Sequence, residues 1–164
     1  MLDTLADDEP VIALHGPRSV GKSTVLRTFA EGKGVQVVDL DDPATRDAVV
    51  ANVSAAVNVA RPLCVDEYQH APEVLDALKA RLNREGASPG TAVVTGSTRH
   101  DALPRTAQAL TGRLHVMMIW PLSQGELAGV DENLVEALRA DPDAAVAACA
   151  AAGPPRAANR VPGG

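Results

Sequence analysis

Aromatic residues are almost absent from this chain: its 164 residues include one Phe, one Trp and one Tyr. Proteins that stack successive nucleobases on aromatic platforms need several, so that mode of nucleic-acid binding is excluded. Positive charge is also short. Lys and Arg number 15 against 21 acidic residues, a formal net charge of −6. Such a chain is a poor electrostatic partner for a phosphate backbone and offers no clear nucleic-acid surface, although a local basic groove stays open.

Cysteine is scarce too. Cys64 and Cys149 are the only two; neither forms a C-x-x-C pair, and no His/Cys cluster has zinc spacing. Cys64 stands in an apolar run and reads as a small core residue. With no disulfide framework implied, the expected compartment is the reducing cytoplasm. No apolar run is long enough to cross a bilayer. The strongest, residues 116–120, has five residues, and a span needs about 20. The N-terminus opens acidic, with Asp3, Asp7, Asp8 and Glu9, where a secretory signal would open basic. These absences together predict a soluble protein without a membrane segment.

What is present begins at residue 11. A short apolar run, Val11-Ile12-Ala13-Leu14, is followed by Gly16-Pro17-Arg18-Ser19-Val20-Gly21-Lys22-Ser23-Thr24. The block fits G-x-x-x-x-G-K-[ST], the phosphate-binding Walker A loop, and a helical pattern follows it. Gly16 and Gly21 let backbone N–H groups approach anionic oxygens because they lack Cβ and tolerate positive φ. The helix that opens after the loop adds free N–H groups and a positive dipole end. Lys22 supplies a charge for the β- and γ-phosphates of a nucleoside triphosphate, and Ser23 a hydroxyl for Mg²⁺. The alternative is a glycine-rich turn that carries Lys-Ser by chance; the strand–loop–helix context speaks against it. His15 reads as a strand-end residue and Arg18 as a solvent-facing loop residue within reach of phosphate.

A strand–helix alternation continues from there. Strands are expected at residues 11–14, 35–40, 63–67, 91–94 and 114–120, and helices at 22–30, 45–59 and 72–84. Asp42-Pro43 reads as an N-cap with proline at the first helical position, and capping accounts for the acidic cluster Asp39, Asp41 and Asp42. The third strand, Leu63-Cys64-Val65, runs into Asp66-Glu67, the Walker B form. Asp66 is the second candidate Mg²⁺ ligand. Glu67 is the candidate general base for an attacking water. Leu75, Leu78 and Leu82 recur at helical spacing and read as core. The fourth strand ends in Thr95-Gly96-Ser97, where Ser97 and Thr95 either sense the terminal phosphate or merely cap the next loop. The pattern predicts a parallel sheet with ligand at the carboxyl ends of its strands. Residues 1–10 read as an N-terminal arm, 11–140 as one domain, and 141–164, rich in Ala, Pro and Gly, as a low-complexity tail, disordered or a frayed helix.

With these motifs placed, the chain resembles the prokaryotic AAA-type ATPases that couple a P-loop domain to a separate C-terminal domain. The likeness rests on the Walker A block, on Asp39-Leu40-Asp41-Asp42-Pro43, on Val65-Asp66-Glu67-Tyr68-Gln69 and on Thr95-Gly96-Ser97. It continues through Leu110-Thr111-Gly112-Arg113 and Trp120-Pro121-Leu122-Ser123 to Glu126-Leu127. The resemblance implies an α/β fold, a P-loop NTPase three-layer α/β/α sandwich with a mainly parallel five-stranded sheet. It implies ATP and Mg²⁺ as ligands and ATP hydrolysis as the activity. It also suggests Arg113 as a nucleotide- or interface-facing arginine; a surface turn residue is the plain alternative. Family members continue into a long C-terminal region, so this chain reads as a truncated relative or a minimal ATPase core. Three functions stand beside one another: an ATPase that couples hydrolysis to a conformational change, a nucleotide-binding module without turnover, and a P-loop kinase. A homo-oligomer or a protein partner is left open.

Overall fold

The computed structural model describes residues 2–97, 110, 112–127, 129 and 134–151. It divides into two compact units, Met1–Pro121 and Leu122–Gly164.

In the first unit, helix α1 (Leu2–Asp8) leads into β1 (Val11–His15), α2 (Lys22–Lys33), β2 (Val37–Asp39) and the short helices α3 (Pro43–Ala51) and α4 (Val53–Val57). Then come β3 (Leu63–Asp66), α5 (Glu73–Glu85), β4 (Ala92–Gly96) and β5 (Leu114–Met118). The strands form one five-stranded sheet in the order β2-β3-β4-β1-β5, and every pairing is parallel. The central strands β1, β3 and β4 are buried along their whole length and mostly apolar because both faces of the sheet are covered. Strand alternation divides them between two cores. Val11, Ala13, Leu63, Val65, Ala92 and Val94 pack with Val49, Val57, Leu75, Leu78 and Leu82 of α3, α4 and α5. Ile12, Leu14, Cys64 and Val93 pack with Ala6 of α1 and Leu26, Phe29 and Ala30 of α2. Helices on both faces make the three-layer α/β/α arrangement that the motifs imply. Burial raises the Cys64 thiol pKa to about 11, as suits a small core residue.

Boundaries differ from the sequence expectation where local hydrogen bonds intervene. Helix α2 runs three residues further, and Gly34 ends it at φ +68°. Gly34 N donates to Glu31 O and Val35 N to Ala30 O, a Schellman cap. Val35 N–H is thereby consumed, so β2 begins at Val37 and not at Val35. The expected helix over 45–59 is instead two. Asn52 breaks it, because its side chain accepts from Ala55 N at 3.1 Å and caps a new helix. Strand β5 ends at Met118, two residues early; Ile119 N still donates to His15 O at 2.7 Å.

The second unit carries α6 (Gln124–Leu127), α7 (Leu134–Ala140) and α8 (Pro142–Ala151). Ser123 and Glu126 cap α6 reciprocally, backbone N–H to side chain in both directions. Asp141 accepts from Ala144 N at 3.0 Å and starts α8. Among the described residues no helix is long and apolar enough to cross a membrane.

Candidate phosphate-binding site

The position of β4 decides which side chains meet. Because β4 lies between β1 and β3, its carboxyl end stands between the loop that follows β1 and the two carboxylates that close β3. The 16–21 loop is shaped by backbone conformations that side chains disfavour. Gly16 has φ +148° and Gly21 φ +94°. A Cβ on Gly16 would stand 2.0 Å from Ile119 O, so glycine is required there by close approach as well as by φ. Ser19, at φ +61°, completes the turn. Lys22 opens α2 and folds back over the loop, with Nζ donating to Gly16 O at 3.1 Å and Pro17 O at 2.8 Å. Only 4% of it is exposed.

The next residue, Ser23, donates through Oγ to Asp66 Oδ1 at 3.1 Å, and Thr95 Oγ1 donates to the same carboxylate oxygen. Asp66 is 2% exposed. Three oxygens from α2, β3 and β4 thus converge. On its other side, Asp66 Oδ2 lies 4.0 Å from the Arg27 guanidinium, which also pairs with Asp39 at 3.5 Å. Such oxygens suit a hard cation. Mg²⁺ takes one or two protein oxygens and completes its shell with phosphate and water, so Ser23 and Asp66 fit it. Among the described residues no group of three or more His, Cys, Asp or Glu could hold a metal by protein ligands alone.

Glu67 follows β3 in the left-handed region, φ +55°, a conformation that costs a non-glycine residue energy and clusters at functional sites. Its N–H donates to Thr95 Oγ1 at 3.1 Å. Its carboxylate accepts from Ser97 Oγ, 3.1 Å from each oxygen, and from Gln69 Nε2. Behind it, Tyr68 is buried. The Tyr68 hydroxyl and His15 Nε2 share a hydrogen bond of 3.0 Å, and the two rings stack at 5.8 Å. Burial first, and the Lys22 charge second, lower the His15 pKa; burial pushes the Tyr68 hydroxyl up to about 12. Both therefore stay neutral beneath the loop at pH 7.

Arg18, Ser19, Gly21, Lys22, Ser23 and Thr24 face Asp41, Glu67 and His70 across an open cavity of about 550 Å³, a volume within the range of ligand sites. The sequence-predicted loop residues, Asp66, Glu67 and Ser97 are thus brought to one place. Arg113 is not among them. It precedes Leu114, which pairs with Val11, so it stands at the end of the sheet opposite the loop, bonded to Asn83 of α5. Sequence reasoning passed over Arg27, although its place four residues after Ser23 puts both on one helix face. It also gave no role to Gln69 or to the contact between His15 and Tyr68, although Tyr68-Gln69 stands in the stretch that carries the family likeness and His15 reads as a strand end.

Comparison with known proteins matches residues 8–128 to a family model described as an AAA domain. Two curated relatives, the uncharacterized proteins Mb2031c of Mycobacterium bovis and Rv2008c of Mycobacterium tuberculosis, are each 24% identical over 108 residues, 66% of this chain and 24% of theirs. The match therefore spans about a quarter of the length of those relatives. Among solved structures, the crystal structure of APE1195 is similar at a TM-score of 0.33 and 18% identity, over 89% of this chain and 73% of that one.

Proposed function

The chain belongs to the AAA domain family, and from that premise we propose that it binds ATP with Mg²⁺ in the cavity before the Walker A loop and hydrolyses it to drive a conformational change. The observation that carries this reading is the convergence of Ser23, Thr95 and Asp66 on one point, with the Glu67 carboxylate on the wall of the same cavity.

Each group has a task in that reading. The backbone N–H groups of residues 16–24 and the N-terminus of α2 receive the phosphate oxygens. Lys22 exchanges the carbonyls of Gly16 and Pro17 for the β- and γ-phosphates. Mg²⁺ neutralises charge on the transferring phosphoryl group when it is bound, with Ser23 and Asp66 holding it. Glu67 takes the proton of the attacking water, and Ser97, already bonded to Glu67, lies beside it to orient that water. Arg113 sits too far along the sheet for this set and is assigned to a contact with another copy or a partner.

Phosphate release from Mg²⁺-ATP, measured together with ATP binding, tests the proposal. Release without an added acceptor supports an ATPase; transfer to an acceptor would make the protein a kinase and overturn the reading. The second reading, a nucleotide-binding module without turnover, is favoured by one observation: the Glu67 carboxylate is already engaged by Ser97 and Gln69. Tight ATP binding without release would support it.

A further inference from the structure

Asp39 and Asp66 are register partners on the adjacent parallel strands β2 and β3. Two carboxylates thus stand side by side at the edge of the candidate cation site, and Arg27 reaches both. Its guanidinium lies 3.5 Å from Asp39 Oδ2 and 4.0 Å from Asp66 Oδ2. We propose that Arg27 sets the charge of the cation site: it offsets one of the two carboxylates, so that a divalent cation binds poorly alone and well when it arrives with the triphosphate. The inference rests on the Mg²⁺-ATP reading above and adds a positioning residue to it.

Arg27 acts through Asp66. That carboxylate turns Oδ1 to Ser23 and Thr95 and Oδ2 to Arg27, so the guanidinium leaves the oxygen of the cation site uncovered. Both Arg27 distances exceed a hydrogen bond, which leaves charge as the interaction. The Arg27 side chain is 58% exposed and that of Asp66 3%. A pair at such an exposed arginine adds little to stability, but a carboxylate so far out of water feels a neighbouring charge strongly. Arg27 follows Ser23 by four residues on α2, so the helix that supplies one candidate ligand also supplies the counter-charge. Asp39 is held apart from the site by its own contacts: Oδ1 accepts from Asp41 N at 3.0 Å, and Oδ2 faces Arg27. Mg²⁺ sheds water reluctantly and takes few protein oxygens. A site whose two carboxylates are half neutralised leaves the phosphates to supply the remaining negative charge.

The test titrates Mn²⁺ alone, ATP with a chelator present, and the two together, Mn²⁺ standing in for Mg²⁺ at an oxygen site. Low ionic strength is used, because exposed charges are screened by salt. The proteins are the wild type, Arg27→Gln, Arg27→Lys, Asp39→Asn and the double variant Arg27→Gln/Asp39→Asn, with thermal unfolding as the check on folding. Arg27→Gln is expected to bind Mn²⁺ alone roughly tenfold more tightly and metal-free ATP roughly tenfold more weakly, the low end of the weight of an outer partner of a metal ligand. Arg27→Lys keeps the charge and stays near wild type. Asp39→Asn moves both affinities the opposite way, and the double variant, which has lost one charge of each sign, returns toward wild type. A merely structural role would weaken both ligands together in Arg27→Gln, and that result overturns the proposal. So do unchanged affinities, or a double variant that stays at the Arg27→Gln values. If ATP binds and Mn²⁺ adds nothing in any of the proteins, the cation site and the role of Arg27 fall together while nucleotide binding stands. If none binds ATP, the reading beneath the proposal fails as well.

Discussion

Ser23 Oγ donates to Asp66 Oδ1 at 3.1 Å across 43 positions of sequence. This bond ties the first turn of α2 to the end of β3, and Thr95 closes it from β4. The two halves of the candidate cation site are therefore assembled before any ligand arrives, so the ordering cost of bringing them together falls on folding and not on binding.

Lys22→Ala removes a side chain that reaches from α2 back across the loop to Gly16 and Pro17. ATP affinity is expected to fall roughly 10- to 100-fold, the weight of a charge-assisted contact of about 1.5–3 kcal/mol. Isothermal titration checks this. An unchanged affinity would remove Lys22, and the Walker A assignment with it, from the site.

Glu67→Gln keeps shape and removes the base. Turnover is expected to drop by a factor on the order of 10²–10⁴ with ATP binding retained. Asp66→Asn is expected instead to weaken Mg²⁺-dependent binding, because it alters an oxygen of the cation site. Steady-state phosphate release and a binding assay with and without Mg²⁺ separate the two. Equal turnover in wild type and Glu67→Gln would move the base elsewhere.

Gly96→Ala places a Cβ 2.7 Å from Tyr68 Cε1. The ring is fully buried and bonded to His15, so it cannot step aside cheaply. A loss of about 1–3 kcal/mol is expected, read as a lower melting temperature, together with lost turnover as Glu67 shifts. An unchanged melting temperature would mean that the backbone at Gly96 yields without cost.

Glu85 sits among three arginines, with Arg81 Nε at 3.0 Å, an Arg84 nitrogen at 2.9 Å and an Arg61 nitrogen at 3.2 Å. Hydrogen bonds from Arg81, then Arg84, draw its pKa down from 4.5 to about 2. A depressed carboxylate favours the fold above its unfolded pKa, and the benefit is lost as pH falls through the folded value. Glu85→Gln is therefore expected to melt below wild type at pH 7, with the gap closing between pH 4.5 and about 2. Melting curves across that range decide it; a gap that persists at pH 2 would make the loss one of packing.

Much of this site is legible from the residues because its chemistry is written in short, local patterns. Gly16, Gly21, Lys22 and Ser23 lie within eight positions, and an apolar strand that ends in Asp66-Glu67 marks itself. Lateral strand order is not local, and no residue in β4 announces that it will pair with both β1 and β3. That pairing is what carries Thr95 onto Asp66, so the role of Thr95 emerges only from the sheet. The Asn52 break was hidden for a similar reason. Its side chain competes with the backbone for a hydrogen bond, and composition alone reads through it. Gln69 and Tyr68 look like ordinary loop residues until the left-handed turn at Glu67 points one toward the carboxylate and the other toward His15.

Strand β1 is the first strand in the chain, yet both of its neighbours, β4 and β5, come late: Val11 pairs with Ala92 and with Leu114. During synthesis the strand that carries the phosphate loop must therefore wait some eighty residues for a first hydrogen-bonded partner, with both edges open. Strands β2 and β3, which pair with each other, can meet much sooner. An emerging chain that stops short of β4 holds a complete Walker A sequence on an unpaired apolar strand, the species most exposed to misassembly. The loop that is earliest in sequence is among the last parts of the protein to become a binding site.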